Sequence, residues 1–320
     1  MQDPLSGPPL QDFDLGSEYA RWFTRLRLGA PQTVGTLQIH PLRLEGDAGA
    51  AEMLLHEALE TKALEVIEKQ HEDVNELIAR NVGKNAVLIL EGESVRGEKQ
   101  NRVITVDILV APNTEVVVAV GCVERGRWSA GKTKPFESAE MAAEPTIRRS
   151  AKYGSDSFGK PMQRALWAKV GARLDSSDTS SPSHDYYEKV SKFRERVREA
   201  TQAISCEPDQ VGILATEGGK LVGCDLLGHP QTWSRAAERL SQAYVLGSLH
   251  AEEEFAGAQP VRSAAEWLDA IARAGVTQAV TQGMGTRFTL EEDSLVGGGL
   301  WHGQRPAHVA AFGLERVPKP

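Results

Sequence analysis

Three short apolar runs, each rich in branched side chains, follow one another in the first half of the chain. They span Val87–Leu90, Val103–Val110 and Val116–Val120. Val and Ile suit the pleated backbone of a strand, and runs this short favour a strand over a helix. Pro112 and Asn113 stand between the second and third runs and are typical turn residues. The pattern therefore predicts three strands, with a hairpin joining the last two.

Polar clusters stand at the ends of these predicted strands, which is a common way to place a site on a rigid base. Glu91-Gly92-Glu93 follows the first strand, Gln100-Asn101-Arg102 precedes the second, and Glu124-Arg125-Gly126-Arg127-Trp128 closes the third. In an antiparallel hairpin, the segment before one strand meets the segment after the other. We therefore predict one polar cleft between the second and third clusters, lined by Gln100, Asn101, Arg102, Glu124 and Arg127.

The rest of the chain alternates between helix and strand patterns. Helices are predicted at residues 18–28, 50–61, 162–170, 186–205, 232–249 and 264–274. Strands are predicted at residues 37–44, 64–68, 74–81, 211–216, 220–227, 286–290, 294–301 and 307–314. The strands before residue 120 follow one another without a helix between them, which antiparallel connections allow and parallel ones do not. The predicted fold is α+β, with a β-rich, mostly antiparallel core and several packed helices, and it is not doubly wound.

The same pattern gives a domain organisation. Residues 1–28 are expected to form an N-terminal arm and a short helix. Residues 29–320 are expected to form a single α+β domain, with a helical insertion around residues 160–205.

Composition narrows the class of protein. Of 320 residues, 41% are hydrophobic and 25% are charged, which is typical of a globular domain. A net charge of −8 disfavours nucleic acid and anionic membrane as partners. Three cysteines without metal-ligand spacing indicate reduced thiols. Because the chain also shows no signal-peptide pattern and no apolar run near the ~20 residues of a membrane span, we expect a cytoplasmic protein.

The candidate catalytic residues are three carboxylates, Glu91, Glu93 and Glu124. Two glutamates spaced two apart on an extended strand face the same side, where they can share a proton or hold a divalent metal ion. The alternative interpretation is that these side chains are solvated at the ends of strands.

The candidate ligand-binding residues combine amides, guanidinium groups and an indole: Gln100, Asn101, Arg102, Arg127, Trp128 and Arg148. Amides and a planar guanidinium suit phosphate or carboxylate, and an arginine beside a tryptophan can stack on an aromatic ligand. The alternatives are a loop that caps backbone groups and a surface ion pair between Glu124 and Arg127. Cys122 is expected to be an inert core thiol, and His308 a hydrogen-bonded core or surface residue.

A set of these residues resembles the motifs of one bacterial family. The set is Glu91-Gly92-Glu93, Gly97, Gln100-Asn101-Arg102, Val120, Cys122-Val123-Glu124, Arg127-Trp128, Gln163 and Trp167. The family is the ARG and rhodanese-phosphatase-superfamily-associated protein domain family, the first of two so named. The resemblance covers the chain from about Gly29 and includes the closing segment around His308. It implies genomic company with ADP-ribosylglycohydrolases and phosphatase-like proteins, and hence a tie to ADP-ribose or related phosphorylated nucleotides, but no particular reaction.

Three functions follow as alternatives. The first is binding of an ADP-ribose-like or other phosphorylated nucleotide or sugar metabolite, with Arg102, Arg127 and Arg148 holding phosphate and Trp128 stacking on a base. The second is a hydrolase or lyase that acts on such a metabolite, with the three glutamates as acid or base and a divalent metal. The third is a structural partner of an operon-encoded enzyme. Assembly into a homo-oligomer is left open.

Overall fold

The computed structural model describes residues 14–46, 48–69, 74–97, 99–126, 135–153, 160–249 and 259–314. The helices in this part of the chain are α1 (Leu15–Phe23), α2 (Leu55–Glu60), α3 (Pro145–Tyr153), α4 (Lys160–Ser176), α5 (Tyr186–Thr201), α6 (Pro230–Ser248) and α7 (Ala264–Arg273). The strands are β1 (Leu26–Leu28), β2 (Gln32–Val34), β3 (Leu37–Leu44), β4 (Met53–Leu54), β5 (Leu64–Glu68), β6 (Glu76–Asn81), β7 (Val87–Ile89), β8 (Ser94–Arg96), β9 (Arg102–Ile104), β10 (Ile108–Val110), β11 (Thr114–Cys122), β12 (Glu137–Ser138), β13 (Gln210–Glu217), β14 (Lys220–Leu227), β15 (Gly275–Ala279), β16 (Thr286–Glu292), β17 (Leu295–His302) and β18 (Arg305–Gly313). Most of the predicted N-terminal arm, residues 1–13, lies outside the described residues, and the domain boundaries stay a prediction.

A nine-stranded antiparallel sheet forms the base of the fold. Its strands run in the order β1-β3-β13-β14-β18-β17-β16-β15, and β2 also pairs with β3. A turn at Gly218-Gly219 joins β13 to β14, and both glycines have positive φ, +55° and +75°, as a tight hairpin requires. This sheet brings β14 and β18 side by side, so residues distant in sequence become neighbours in the core.

Both faces of the large sheet are covered, which explains why its strands are apolar on both sides. One face packs against α1 and α7 through Tyr19, Trp22 and Trp267. The other face packs against α6 and its neighbouring helices through Trp233 and Tyr244. Burial on both faces removes apolar surface from water, and each Å² buried stabilises the fold by roughly 25 cal/mol.

Two smaller sheets carry the polar clusters found in the sequence. One has the strand order β12-β8-β9-β11-β6-β5, and the other has the order β10-β7-β4. In the first, the end of β11 pairs with β9, so Cys122 lies opposite Arg102. The segments before β9 and after β11 therefore do come together at one end of that sheet.

The predicted fold class is confirmed. Strands β5 to β11 follow one another without a helix between them, and every ladder among the described residues is antiparallel except the short pairing of β4 with β7. The two-residue parallel pairing is too small to make a doubly wound sheet.

The predicted strand at residues 103–110 is wrong in detail. The chain bends at residues 105–107, so β9 pairs with β11 while β10 pairs with β7 in a different sheet. Within the described chain no ladder joins β10 to β11, and the turn at Asn113, with φ +55°, connects two sheets rather than closing a hairpin. The bend is where the apolar run contains Asp107, whose carboxylate is needed in the core, as described below.

Two helix predictions also need correction. The helix predicted at 18–28 starts earlier, at Leu15 with Asp14 as its N-cap, and ends at Phe23, because Leu26–Leu28 pairs with β3 as an edge strand. The helix predicted at 50–61 starts only at Leu55, because the two preceding residues pair with β7. The helix predicted at 264–274 is α7, and Ser263 caps it with the reciprocal hydrogen bonds of a capping box to Glu266.

Candidate functional site

Six ionisable side chains form one continuous buried chain of ion pairs between the sheets and α3. In order of contact they are Lys152, Glu91, Arg148, Asp225, His308 and Asp107. They come from the turn after β7, the bend before β10, α3, β14 and β18. Five of the six are no more than 3% exposed, and Lys152 is 11% exposed. We refer to these six residues as the buried charge chain.

Arg148 is the centre of the buried charge chain. Its Nε donates to Glu91 Oε1 at 2.7 Å, while Nη1 and Nη2 donate to the two oxygens of Asp225 at 2.8 and 2.6 Å. Burial alone would lower the pKa of Arg148, but Asp225 and Glu91 raise it well above its ordinary value. The guanidinium is also 4.8 Å from the centroid of the Phe312 ring. One permanent cation therefore compensates two buried carboxylates.

Gly92 explains the glycine between the two glutamates of the first polar cluster. Its φ is +86°, and a Cβ at this position would lie 2.4 Å from Nε and 2.6 Å from Cδ of Arg148. Any other side chain would displace the guanidinium from Glu91. A glycine is needed here because Arg148 approaches the backbone so closely.

His308 lies between two carboxylates. Its Nδ1 is 2.7 Å from Asp107 Oδ1 and its Nε2 is 3.0 Å from Asp225 Oδ1. Because both ring nitrogens face carboxylate oxygens, both must carry a proton, so the ring is an imidazolium. Burial alone would lower the pKa of His308, but Asp107 and Asp225 raise it to about 9.

The two aspartates are held as anions by these contacts. Burial opposes their ionisation, yet His308 lowers the pKa of Asp107, and Arg148 with His308 lowers the pKa of Asp225 well below the usual range. Tyr244 adds a hydrogen bond from its hydroxyl to Asp225 Oδ2 at 2.7 Å. The backbone N–H of Glu91 donates to Asp107 Oδ1 at 2.8 Å, which ties the bend before β10 to the turn after β7.

Both ends of the buried charge chain reach the same cavity. Asp107 and Lys152 line a cavity of about 220 Å³, together with Arg287 and Thr289 of β16 and the glycine segment Gly297–Gly299 of β17. The floor is close-packed, since a Cβ on Gly299 would lie 2.1 Å from the carbonyl oxygen of His308. A charged, water-accessible recess thus sits directly on an ordered network of buried charges, which is a common property of functional sites.

A larger cavity lies elsewhere and has a different lining. It has a volume of about 1180 Å³ and is lined by residues of α2, the start of α6 and the β17–β18 turn. Two of its arginines are paired with carboxylates, Arg305 with Glu52 at 2.6 Å and Arg235 with Glu57 at 3.0 Å, and Arg25 also lines it. We assign the candidate site to the smaller cavity, because it adjoins the buried charge chain and contains two cations, Lys152 and Arg287, beside the carboxylates of Asp107 and Glu291.

Four of the predicted ligand-binding and catalytic residues gather in a second buried cluster. Arg102 Nη1 donates to Gln100 Oε1 at 3.0 Å, and the Asn101 backbone N–H donates to Glu124 Oε2 at 3.2 Å. The Asn101 amide also donates to Asp185 Oδ2 at 3.0 Å, at the start of α5. These contacts tie β9, β11 and α5 together, which corresponds to the structural alternative. A role in ligand binding stays a prediction, and Arg127 and Trp128 lie outside the described residues.

The remaining predicted residues fall in or beside the buried charge chain. Glu91 and Arg148 form its central ion pair. Glu93 is buried, accepts a hydrogen bond from the Leu90 backbone N–H at 2.9 Å, and has its pKa raised to about 7 by that burial. Cys122 is a buried thiol whose pKa is raised by burial to about 11, as an inert core cysteine would be.

Metal binding was predicted only as an option. Among the described residues, no group of three or more His, Cys, Asp and Glu side chains is arranged to hold a metal ion. No helix of this part of the chain is long and apolar enough to cross a membrane.

Sequence reasoning missed Asp107, Lys152, Asp225 and Arg287. Two of them carry a usable signal, because Asp107 and Asp225 each interrupt an otherwise apolar strand pattern. An acid in a strand buried on both faces needs a cation or a donor, and so indicates a buried polar network. Lys152 and Arg287 carry no such signal, since a basic residue on a helix or strand is ordinarily exposed.

The charge on His308 predicts a loss of stability at alkaline pH. Its folded pKa of about 9 exceeds the ordinary 6.5, so its contribution is complete below about pH 6.5 and disappears as the pH rises through about 9. A difference of this size corresponds to about 3 kcal/mol of unfolding free energy. Urea unfolding at pH 6.5 and 9.5 should show this loss in the wild type. In His308→Gln the decline should be much smaller, and an equal decline in both proteins would assign it to other groups.

Comparison with known proteins gives one result. The model of a family described as the ARG and Rhodanese-Phosphatase-superfamily-associated Protein domain matches residues 25–312. Searches of curated proteins and of solved structures give no match.

Proposed function

Because the chain belongs to the ARG and Rhodanese-Phosphatase-superfamily-associated Protein domain family, we propose that it binds an ADP-ribose-like or other phosphorylated small metabolite. The binding site is the cavity of about 220 Å³ above Asp107. Arg287 and Lys152 hold the phosphate. The family description names association with other proteins and no ligand, so the proposal depends on the chemistry of the cavity.

The observation that carries the proposal is the state of Arg287. Its side chain is partly buried and lines the cavity, yet it has no ion pair with a carboxylate in the described chain. Nη1 donates to the Val280 carbonyl at 2.8 Å, which leaves most of the guanidinium N–H groups for another acceptor. Burial lowers the pKa of Arg287 from its ordinary value, and nearby Asp107 opposes this change. A partly desolvated guanidinium without a carboxylate partner favours an incoming anion.

Lys152 adds a second cation at the same cavity. Its Nζ is 2.7 Å from Glu91 Oε2, so part of its charge is already compensated. An ammonium group has three N–H donors, so two of them remain for another acceptor. Arg287 and Lys152 thus approach the cavity from β16 and α3, and a tetrahedral phosphate can accept hydrogen bonds from both.

A second candidate function is hydrolysis or elimination on the same metabolite. It is supported by Glu93, whose pKa of about 7 would allow it to exchange a proton near neutral pH. The charges of Asp107 and His308 both affect the pKa of Glu93, so this carboxyl group lies near the buried charge chain. Binding without turnover of a phosphorylated ligand would separate the first proposal from this one.

The binding proposal is tested by thermal shift and calorimetry with ribose 5-phosphate and ADP-ribose. A ligand that binds only the native state raises the melting temperature. Arg287→Gln should weaken binding of any phosphorylated ligand about tenfold to a hundredfold, as expected for one lost charge-assisted contact. The variant should melt close to the wild type, since Arg287 has no ion pair to lose.

The matched control is Arg273→Gln. Arg273 is an exposed arginine at the end of α7, paired with Asp269, and it does not line the cavity. This variant removes the same charge and should leave ligand affinity unchanged. If both variants weaken ligand binding equally, the effect comes from net charge. The assignment of the phosphate site to this cavity would then be wrong.

A further inference from the structure

The proposed phosphate site contains a carboxylate, Asp107, that accepts hydrogen bonds through only one of its two oxygens. Asp107 Oδ1 takes both of the hydrogen bonds given above, from the Glu91 backbone N–H at 2.8 Å and from His308 Nδ1 at 2.7 Å. Among the described residues, no donor is bonded to Oδ2. Asp107 is 3% exposed and lines the cavity, so its second oxygen belongs to the cavity wall.

This carboxylate is fixed in both position and charge. Two N–H groups on Oδ1 prevent rotation of the carboxylate, and the imidazolium of His308 favours the ionised form. An ionised carboxylate accepts hydrogen bonds and donates none. It repels a second anion at short range, and this repulsion is strong where water is scarce.

The cavity therefore favours a ligand that carries two different kinds of group. Arg287 and Lys152 require an acceptor with negative charge, whereas Asp107 requires a donor. The dianion of a simple monoester such as methyl phosphate meets the first requirement, but it has no donor and is repelled by Asp107. A phosphate monoester whose carbon skeleton carries hydroxyl groups meets both requirements, because a hydroxyl donates to the carboxylate while the phosphate stays beside the cations.

The size of the cavity limits the ligand further. Its volume of about 220 Å³ is below the roughly 300–1,000 Å³ of sites for drug-sized ligands. A single sugar phosphate is compatible with such a volume, whereas a complete dinucleotide is not. Any nucleoside attached to the sugar would extend out of the cavity.

We infer that Asp107 is a specificity-determining residue that binds a ligand hydroxyl through Oδ2, so that the ligand class is a hydroxylated phosphate monoester such as a pentose phosphate. This inference rests on the proposed phosphate site. It adds the requirement for a hydroxyl donor, which phosphate binding alone does not include. A site built to bond a hydroxyl discriminates strongly against an analogue that lacks it, because the buried acceptor is then left without a partner.

The test compares two ligands that carry the same phosphate. Calorimetry on the full chain with ribose 5-phosphate and methyl phosphate should give at least tenfold tighter binding of the sugar phosphate. In Asp107→Asn this preference should fall clearly below tenfold, because the amide nitrogen that replaces Oδ2 donates to a phosphate as readily as to a hydroxyl oxygen. Methyl phosphate should bind as well as before or better because the repulsion is gone. Arg287→Gln should weaken both ligands by a similar factor and keep the preference.

The outcomes separate the two claims. If methyl phosphate and ribose 5-phosphate bind the wild type equally, or if Asp107→Asn keeps the preference, the hydroxyl role is overturned while phosphate binding stands. If neither ligand binds the wild type, both claims are overturned. Asp107 belongs to the core, so the fold of Asp107→Asn is checked first by circular dichroism. If that variant does not fold, 2-deoxyribose 5-phosphate is compared with ribose 5-phosphate on the wild type, and equal affinities for the three phosphates overturn the inference.

Discussion

Replacing Arg148 by methionine is expected to lower the free energy of unfolding by about 3–5 kcal/mol. The substitution leaves Glu91 and Asp225 buried without the guanidinium that contacts both at 2.6–2.8 Å. Removing one partner of a buried ion pair is far more damaging than replacing the whole pair by apolar groups, because an uncompensated charge remains. Part of the loss should be recovered at low pH, where the carboxylates take up protons. Urea unfolding followed by circular dichroism measures the change.

Arg149→Met is the control for this prediction. Arg149 is the next residue of α3, so both variants change helix propensity equally. Its recorded contact is one hydrogen bond from Nη1 to the Gly313 carbonyl at 2.9 Å, and its loss should cost about 1 kcal/mol. If Arg148→Met were no more destabilising than Arg149→Met, the carboxylates would have to find other compensation, and the central role of Arg148 would be wrong.

The fold class could be predicted because its main determinant is local. The β-branched runs of β7, β11, β13 and β18 are visible in the sequence, and the absence of helices between β5 and β11 requires antiparallel connections. The turn between β13 and β14 requires positive φ at two residues, and adjacent glycines at these positions indicate it in the sequence. The bend at Asp107 could not be predicted, because an apolar run gives no information on which sheet each of its halves joins.

The candidate site was predictable only in part, for a related reason. The residue types of Glu91, Gly92 and Arg148, and their neighbours in the sequence, indicate a polar site. The contact between Asp107 and His308 joins residues 201 positions apart, and the contact between His308 and Asp225 depends on β14 and β18 being adjacent in the large sheet. Register across a sheet decides which side chains meet, and one sequence does not fix the register.

A second buried ion cluster lies among the helices, and sequence reasoning gave no indication of it. Glu144, at the start of α3, accepts from Arg173 Nε and Nη2 at 3.1 and 2.8 Å and from Lys189 Nζ at 3.0 and 2.9 Å. Burial would raise the pKa of Glu144, but Lys189 and Arg173 lower it below its ordinary value. The Glu144 backbone N–H donates to the Tyr186 hydroxyl at 3.1 Å. One carboxylate therefore joins α3, α4 and α5.

Glu144→Gln is expected to cost at least as much as Arg148→Met, about 3–5 kcal/mol, because it takes the carboxylate away from two buried cations at once. Glutamine keeps the size of the side chain, so the loss reports charge and not a cavity. Lys189→Met is the comparison, and it should cost less, since Glu144 keeps both of its hydrogen bonds from Arg173. In the double variant the cost should be smaller than the sum of the two single costs, with a coupling of roughly 0.5–3 kcal/mol. Costs that simply add would show that Lys189 is stabilised by groups other than Glu144, and the three-helix junction would then not depend on this ion cluster.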